Sequence, residues 1–508
     1  MTRAAKRPRS RLVRATSLTM LLTALGSLLG FARDLLVAGI FGATANTDAF
    51  LVAWTIPETA APLLIEGALA FLLIPLFSRA VADGQGLRDV VSATLPRAAT
   101  AFLLLTALTA LGAPLIVAVL APGMSDPELA AQCTRITSVT VLAFGLTGYL
   151  SAALRTRQVF GPPAAIYVAY NLGIIAFVLT AEGSRGVTTV AWGVAVGALL
   201  MVAVQVPAFV RHIGLPRRGA TATAISLVAF APIASFTLIR QGQVFVERFA
   251  ASHLPAGSIS YLNYAQKIAQ VPMVVSLIVA TVSFPALARC ISKRDYDTAR
   301  RRIREDLVVA GSVVLASTVF LLVYAPDVVR LLLEHGAFTA ADTAETAWSM
   351  RLYSLGLLAQ AVVGVICRVY YCADKPSWFP AAAMGAGLAV TTVAAVLLAP
   401  VLGAGGIALA NALGITLTAV LLLGGLRAPF IELPMKELAV SMGRLVLAAA
   451  VAGGVAWVLR PAFSGLPLIV TVISGVALVT AIFVLTAVLI GSKDDLTAML
   501  RPQKGGQR

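Results

Sequence analysis

Charge is what this sequence has least of. Only 12% of its 508 residues are Asp, Glu, Lys or Arg, where a soluble chain carries about 25%. With 59% apolar residues and a mean hydropathy of +0.90, that shortfall excludes a string of soluble domains. Histidine is nearly missing. His212, His253 and His335 are scattered over loops and one turn, and dispersed imidazoles make no metal site. The four cysteines, Cys133, Cys290, Cys367 and Cys372, show no metal-ligand spacing and read as small apolar fillers rather than a redox pair. There is no GxxxxGK phosphate loop to hydrolyse ATP and no motif for covalent catalysis, so the chain reads as neither an enzyme nor a cofactor carrier. Acidic residues are outnumbered, 23 against 39 basic, for a net charge of +16. In a soluble protein that excess would raise nucleic acid as a partner. Here the basic residues fall in short loops between apolar runs, which is the positive-inside pattern, and no nucleic acid is expected.

What is present is a series of apolar runs, each near the roughly 20 residues that cross a hydrocarbon core. Fourteen spans are predicted. The first two cover about 16–41 and 48–78, the seventh and eighth about 222–250 and 258–288, and the last two about 440–459 and 466–490. The first follows the basic stretch MTRAAKRPRSRLVR; it is too long for a signal peptide and is interrupted by Arg33 and Asp34, so it reads as a retained span. Basic loops, the strongest being CISKRDYDTARRRIRE, alternate with loops poor in Lys and Arg such as MSDPE and EHGAFTAADTAE. That alternation requires an even number of spans with both termini cytoplasmic. Arg185 and Arg460 are isolated exceptions to it. A shift of 215 residues lays Arg33 on Arg248 and Pro57 on Pro272, as an internal repeat would. The expected fold is an all-α polytopic membrane protein. It comprises a basic tail 1–15, a six-helix lobe 16–212, a linker 213–221, a second six-helix lobe 222–427, two additional helices 428–490 and a tail 491–508.

The stretch from Gly30 to Pro75 puts Arg33, Asp34, Asp48, Glu58 and Glu66 into the first two spans. Ionisable groups inside a bilayer are costly and usually face a water-filled path, so transport is the expected chemistry. Arg33 and Asp34 are neighbours and do not share a helix side. Arg33 is expected to project into a cavity or to snorkel to the membrane edge, and Asp34 to pair with another helix. Asp48, after the polar turn GATANT, either caps its own helix or belongs to the site. Pro57 and Pro62 should break the second span, and a broken helix can set Glu58 beside an ion or substrate. Glu58 and Glu66 lie roughly on one face, as coupling groups or as counter-charges. In the second half Arg240 and Glu247 share a face, and Arg248 and Lys267 are further cations. Arg33, Arg248 and Lys267 could converge on an anion, arginine's planar fork suiting phosphate; ion pairs that only specify packing are the competing reading. Gly26 with Gly30, and Gly193 with Gly197, offer faces for close helix packing.

GFARDLLVAGIFGATANTDAF, IPETAAPLLIEGALAFLLIP, SYLNYAQKIAQVP with TVSFPALAR, and APDVVRLLLEHGAFTAADT together resemble the signatures of the MurJ (MviN) family of lipid II flippases, within the superfamily of multidrug, oligosaccharidyl-lipid and polysaccharide exporters. The resemblance covers nearly the whole chain. It implies a twelve-helix core in two lobes, with two C-terminal helices that accommodate a lipid tail. It also implies alternating-access movement of undecaprenyl-pyrophosphate-linked peptidoglycan precursor from the inner to the outer leaflet, with membrane lipid and cell-wall synthesis proteins as further partners. Arg33 takes the place of the family's arginine in GFARD, Asp48 that of its aspartate in TDAF, and Lys267 that of an arginine. Ser27, Ala61 and Pro62 stand where the family usually has arginines. Three other readings stay open: a flippase for another polyprenyl-linked glycan, a small-molecule exporter of the same superfamily, and a transport-inactive cell-wall scaffold.

Overall fold

The computed structural model describes residues 7–66, 68–82, 86–180, 186–217, 231–371, 377–426, 433–463 and 465–490. Among these every regular element is helical. In order they are α1 (Arg7–Phe41), α2 (Ala45–Ala61), a π turn (Pro62–Glu66), α3 (Ala68–Ala82), α4 (Leu87–Leu111), α5 (Ala113–Leu120), α6 (Pro127–Thr137), α7 (Val139–Thr156), α8 (Gly161–Thr180) and α9 (Gly186–His212). There follow α10 (Ala231–Ala251), α11 (Ser258–Ala269), α12 (Met273–Ser292), α13 (Tyr296–Leu333), α14 (Ala340–Ser354), α15 (Leu357–Tyr371), α16 (Phe379–Leu402) and α17 (Ala404–Gly425). Last come α18 (Met435–Leu459), a 3-10 turn (Arg460–Phe463) and α19 (Leu468–Leu489).

Among the described residues, eleven helical runs are long and apolar enough to cross a membrane, or twelve with the bent pair α14–α15 taken as one. The two further expected spans correspond to α10 and to α11–α12. Arg240, Glu247 and Arg248 make α10 too charged for that test, and α11, with 12 residues, is too short to cross alone. An order of fourteen is therefore compatible with the helices. Cys133 and Cys367 are buried, as small fillers should be; Cys372 lies outside the described residues.

The second span keeps its helix through Pro57, against the expectation of a break there, and changes form only at Pro62, where the π turn begins. At both prolines the freed carbonyl is taken up by a side chain. Pro57 has no N–H for the carbonyl four residues back, and that carbonyl, Ala53 O, accepts the Thr137 hydroxyl at 3.2 Å instead. Pro62 frees Glu58 O in the same way, and Gln241 Nε2 donates to it at 3.1 Å. Where no water reaches, a freed backbone group has to be satisfied by a side chain.

The helices gather into two compact units, Met1–Ser260 with Gly336–Phe338 and Tyr261–His335 with Thr339–Arg508. In the first unit α7 is buried along most of its length, while α4 presents Leu103, Leu104, Leu108 and Leu111 outward as a lipid-facing surface would. Both glycine pairs close on α8. A Cβ on Gly26 would stand 2.9 Å from Tyr167 Cβ, and one on Gly197 would strike the Tyr170 carbonyl. So α1 packs on one side of α8 and α9 on another at distances that only glycine permits.

In the second unit α13 has 38 residues, about 57 Å at 1.5 Å per residue, well beyond the roughly 30 Å hydrocarbon core. Two ion pairs tie it to α18. Arg304 Nη1 meets Glu437 Oε2 at 3.1 Å and its Nη2 donates to Ser441 Oγ at 3.0 Å. Arg460 Nη2 meets Asp327 Oδ2 at 3.0 Å. Residues 304 and 327, and residues 437 and 460, are each 23 apart, so the helices run parallel and in register over about 34 Å. Arg460, one of the two exceptions to the charge pattern, is thus paired in place; the other, Arg185, lies outside the described residues. The parallel pair also fixes the bent segment. From the end of α13 to the start of α18 the chain must cross an odd number of times; α16 and α17 cross once each, so α14–α15, bent by 45°, makes a single crossing.

Candidate functional site

Three helices of the first unit seat the Arg33 guanidinium. It lies 4.4 Å over the ring of Trp54 from α2, a cation–π distance. Its Nη1 donates to Asn171 Oδ1 of α8 at 3.0 Å. Its Nε and Nη2 donate to Asp34 Oδ1 at 3.0 and 2.7 Å. The two neighbours, which do not share a helix side, nevertheless meet: the long arginine stem folds back far enough to reach Asp34. Arg33 is 7% exposed, so it is held inside and does not snorkel to an edge. Tyr170 stacks beside Trp54 with ring centroids 6.3 Å apart and meets Phe144 edge-on, closing the apolar side of the seat.

Asp48 does not cap its own helix. Thr44 does that, accepting from Thr47 N at 3.3 Å. The Asp48 carboxylate instead accepts from Gly257 N at 2.7 Å, Ser260 N at 2.8 Å and Ser260 Oγ at 2.6 Å. It caps the start of α11 from another helix, using the same preference of a helix N-terminus for negative charge. Arg248, its side chain 2% exposed, approaches Glu58 Oε2 at 3.5 Å and the Ile259 carbonyl at 3.5 Å.

The remaining expected residues divide as follows. Glu247 is buried at 2%, whereas Arg240, two turns earlier on the same helix, is exposed; a shared face does not give them a shared environment. Lys267 is half-buried in the second unit, where Gln266 donates to Tyr353 Oη at 2.7 Å and Tyr261 to Asp342 Oδ1 at 2.9 Å. Glu66 closes the π turn, and its side chain lies outside the described residues. At the positions that depart from the resemblance, Ser27 is exposed and bonded only to Thr23 O among the described contacts, at 3.1 Å. Ala61 and Pro62 are half-buried and uncharged.

The first unit therefore sets two buried arginines among four carboxylates, Asp34, Asp48, Glu58 and Glu247. An anion bound here competes with internal carboxylates for the same guanidinium donors. Sequence reasoning missed Trp54, Asn171 and Gln241. The signal for Asn171 was a lone amide in the middle of an apolar span, where polarity has to be matched by a partner. Gln241 carried no signal until Pro62 was seen to free a carbonyl.

The model of the family described as "Lipid II flippase MurJ" matches residues 37–476. The chain belongs to the MurJ lipid II flippase family. Among its MurJ relatives, a probable lipid II flippase of Rhizobium meliloti is 30% identical over 472 residues, covering 87% of each chain. The lipid II flippase of Burkholderia cenocepacia is 28% identical over 426 residues, covering 80% of this chain and 82% of its own. A solved MurJ structure in an inward closed conformation superposes with a TM-score of 0.78 at 21% identity, over 95% of this chain and all of the other. A solved multidrug resistance MATE family transporter of the MOP superfamily, in an inward-facing conformation, shares the fold at a TM-score of 0.64 and 13% identity, over 84% of this chain and 98% of its own. The chain is thus a multi-pass membrane protein of a transporter family, and Arg33 and Asp48 stand in the MurJ-like motifs that its sequence keeps.

Proposed function

We propose that this chain flips lipid II, the undecaprenyl-pyrophosphate-linked peptidoglycan precursor, from the inner to the outer leaflet of the cytoplasmic membrane by alternating access, with both termini in the cytoplasm. Family membership supports the reaction, and the observation that carries it to particular residues is the seat of Arg33. Three of its five N–H donors are used by Asp34 and Asn171, which leaves one on each terminal nitrogen for a pair of phosphate oxygens. Arg248 is the second anion-binding candidate, exchanging Glu58 for the ligand. The basic loops, from 289–304 to the 217–218 pair, support the orientation.

A second reading, movement of another polyprenyl-linked glycan, is favoured by the neutral residues at Ser27, Ala61 and Pro62. One assay decides between them. The full chain is reconstituted into vesicles carrying labelled lipid II or, separately, a labelled non-peptidoglycan polyprenyl-pyrophosphate glycan. Lipid II should move, should stop moving in Arg33→Ala and Arg248→Ala, and should move again in part in the lysine variants. Movement of only the second lipid overturns the primary reading. Full activity in both alanine variants overturns the assigned residues.

A further inference from the structure

We propose that Asn171 is a positioning residue: it fixes the direction of the Arg33 guanidinium for the headgroup phosphates, and this part of the inference rests on the lipid II reading. The argument starts from the amide. Asn171 is 4% exposed, and its Nδ2 gives one N–H to Gly26 O at 2.9 Å and the other to Tyr167 O at 2.9 Å. Both acceptors are backbone carbonyls that cannot donate, so the amide has no second orientation. Its Oδ1 is therefore held toward Arg33 and accepts from Nη1 at 3.0 Å. The glycines of α1 make the arrangement possible. A Cβ on Gly30 would crowd Asn171 Nδ2 at 3.3 Å, and one on Gly26 would meet Tyr167 at 2.9 Å.

Arg33 is consequently held on three sides by groups that differ in kind. Asp34 takes its Nε side, Trp54 takes its face, and Asn171 takes one N–H of Nη1. What remains open is one N–H on each terminal nitrogen. A second observation points the same way. The Tyr170 hydroxyl, one residue before Asn171, is buried without a hydrogen-bond partner among the described residues, and its ring stacks beside the Trp54 ring that covers Arg33. A phosphate oxygen on the open edge of Arg33 could also take the Tyr170 proton in a hydrogen bond. Without Asn171, Asp34 and the Trp54 face still hold the guanidinium, but nothing fixes its Nη1 edge, and the head gains freedom to turn in its own plane.

The test uses the full chain in lipid nanodiscs and two readouts. The first needs no substrate: the rate at which phenylglyoxal modifies Arg33, followed by mass spectrometry, in the parent and in Asn171→Leu. The second is lipid II affinity through a double-mutant cycle of Asn171→Leu with Arg33→Ala. Release of the guanidinium should raise its modification rate several-fold. Asn171→Leu should weaken lipid II binding about tenfold in the parent and less than twofold in the Arg33→Ala background, because the amide acts only through the arginine. Asn171→Gln, which keeps the amide one methylene further out, should recover part of the affinity. A merely structural asparagine predicts something else, an equal loss in both backgrounds with Arg33 reactivity unchanged, and that result overturns the proposal. If the parent fails to bind lipid II while Arg33 reactivity still rises in Asn171→Leu, the positioning stands and the substrate reading falls.

Discussion

Arg33 and Arg248 are the two cations most deeply placed in the first unit, and neither is left bare. Each lies against a carboxylate, Asp34 at 2.7 Å and Glu58 at 3.5 Å. The two contacts are not equivalent. The first is short, charge-assisted and made by two donors of one guanidinium. The second is at the limit of a hydrogen bond, and the Glu58 side chain is 23% exposed, so Glu58 is the easier of the two to displace. Glu58→Gln should then loosen Arg248 and tighten binding of an anionic headgroup by roughly three- to tenfold, an effect of about 1 kcal/mol. Titration of lipid II into nanodiscs checks this, and unchanged or weaker binding would remove Arg248 from the list of ligand groups. At this scale the sequence told which residues carry charge but not which way they turn. Adjacency argued that Arg33 and Asp34 would part, because Cβ directions were considered without the length of the arginine stem. Likewise residue type left Asp48 open as a cap of α2 or a site residue, and did not show that Thr44 takes the cap.

Prolines, rather than charges, decide the shape of the second span. Pro57 and Pro62 each free a carbonyl, and each carbonyl has its own partner, Thr137 and Gln241. The break expected at both positions occurs at one: the α-helix continues past Pro57, and it widens into the π turn at Pro62 although the carbonyl freed there is satisfied too. Thr137→Val should therefore destabilise the parent by about 1 kcal/mol, the worth of a buried hydrogen bond. It should cost much less in the Pro57→Ala background, where the substituted residue supplies the missing N–H. Unfolding by SDS titration of the two single variants and the double variant tests this; equal losses in both backgrounds would assign Thr137 a packing role only. The α13–α18 ion pairs make a second prediction. Arg460 and Asp327 are 31% and 19% exposed, whereas Arg304 and Glu437 are 35% and 63% exposed. Partial exposure screens both pairs, so a double-mutant cycle should give up to about 1 kcal/mol for the first and a few tenths for the second. Exchanging the partners, Arg460→Asp with Asp327→Arg, should restore most of the loss. Neither pairing was legible in the sequence. Each joins residues 133 apart, and Arg460 appeared there only as a charge on the wrong side.

Over the whole molecule, hydropathy and loop charge foretold an all-helical membrane protein, because span length and positive loops are local properties of the chain, and the motif resemblance alone pointed to its family. The count of fourteen needed more. Among the described residues, eleven helices announce themselves by length and composition; α10 does not, because Arg240, Glu247 and Arg248 lower its apolarity, and α11 is short. These are the elements that carry expected site residues, so the weakest span signals fall where function is expected to reside. The parallel run of α13 and α18 supplies an independent constraint, since it requires α14–α15 to cross once. Topology follows from that parity and can be measured. In a background without Cys133, Cys290, Cys367 and Cys372, single cysteines would replace Glu128 at the start of α6, Asp297 at the start of α13 and Ala341 at the start of α14. All three positions are exposed. A membrane-impermeant maleimide added to intact cells should label the cysteines at 128 and 341 and spare the one at 297, which should react only after the membrane is opened. Labelling at 297 in intact cells would reverse the orientation and with it the direction of lipid movement. Protection at 341 together with labelling at 128 would mean an odd number of crossings between α6 and α14, where the fourteen-span order has an even number, and the crossing assigned to α10 or to α11–α12 would have to be withdrawn.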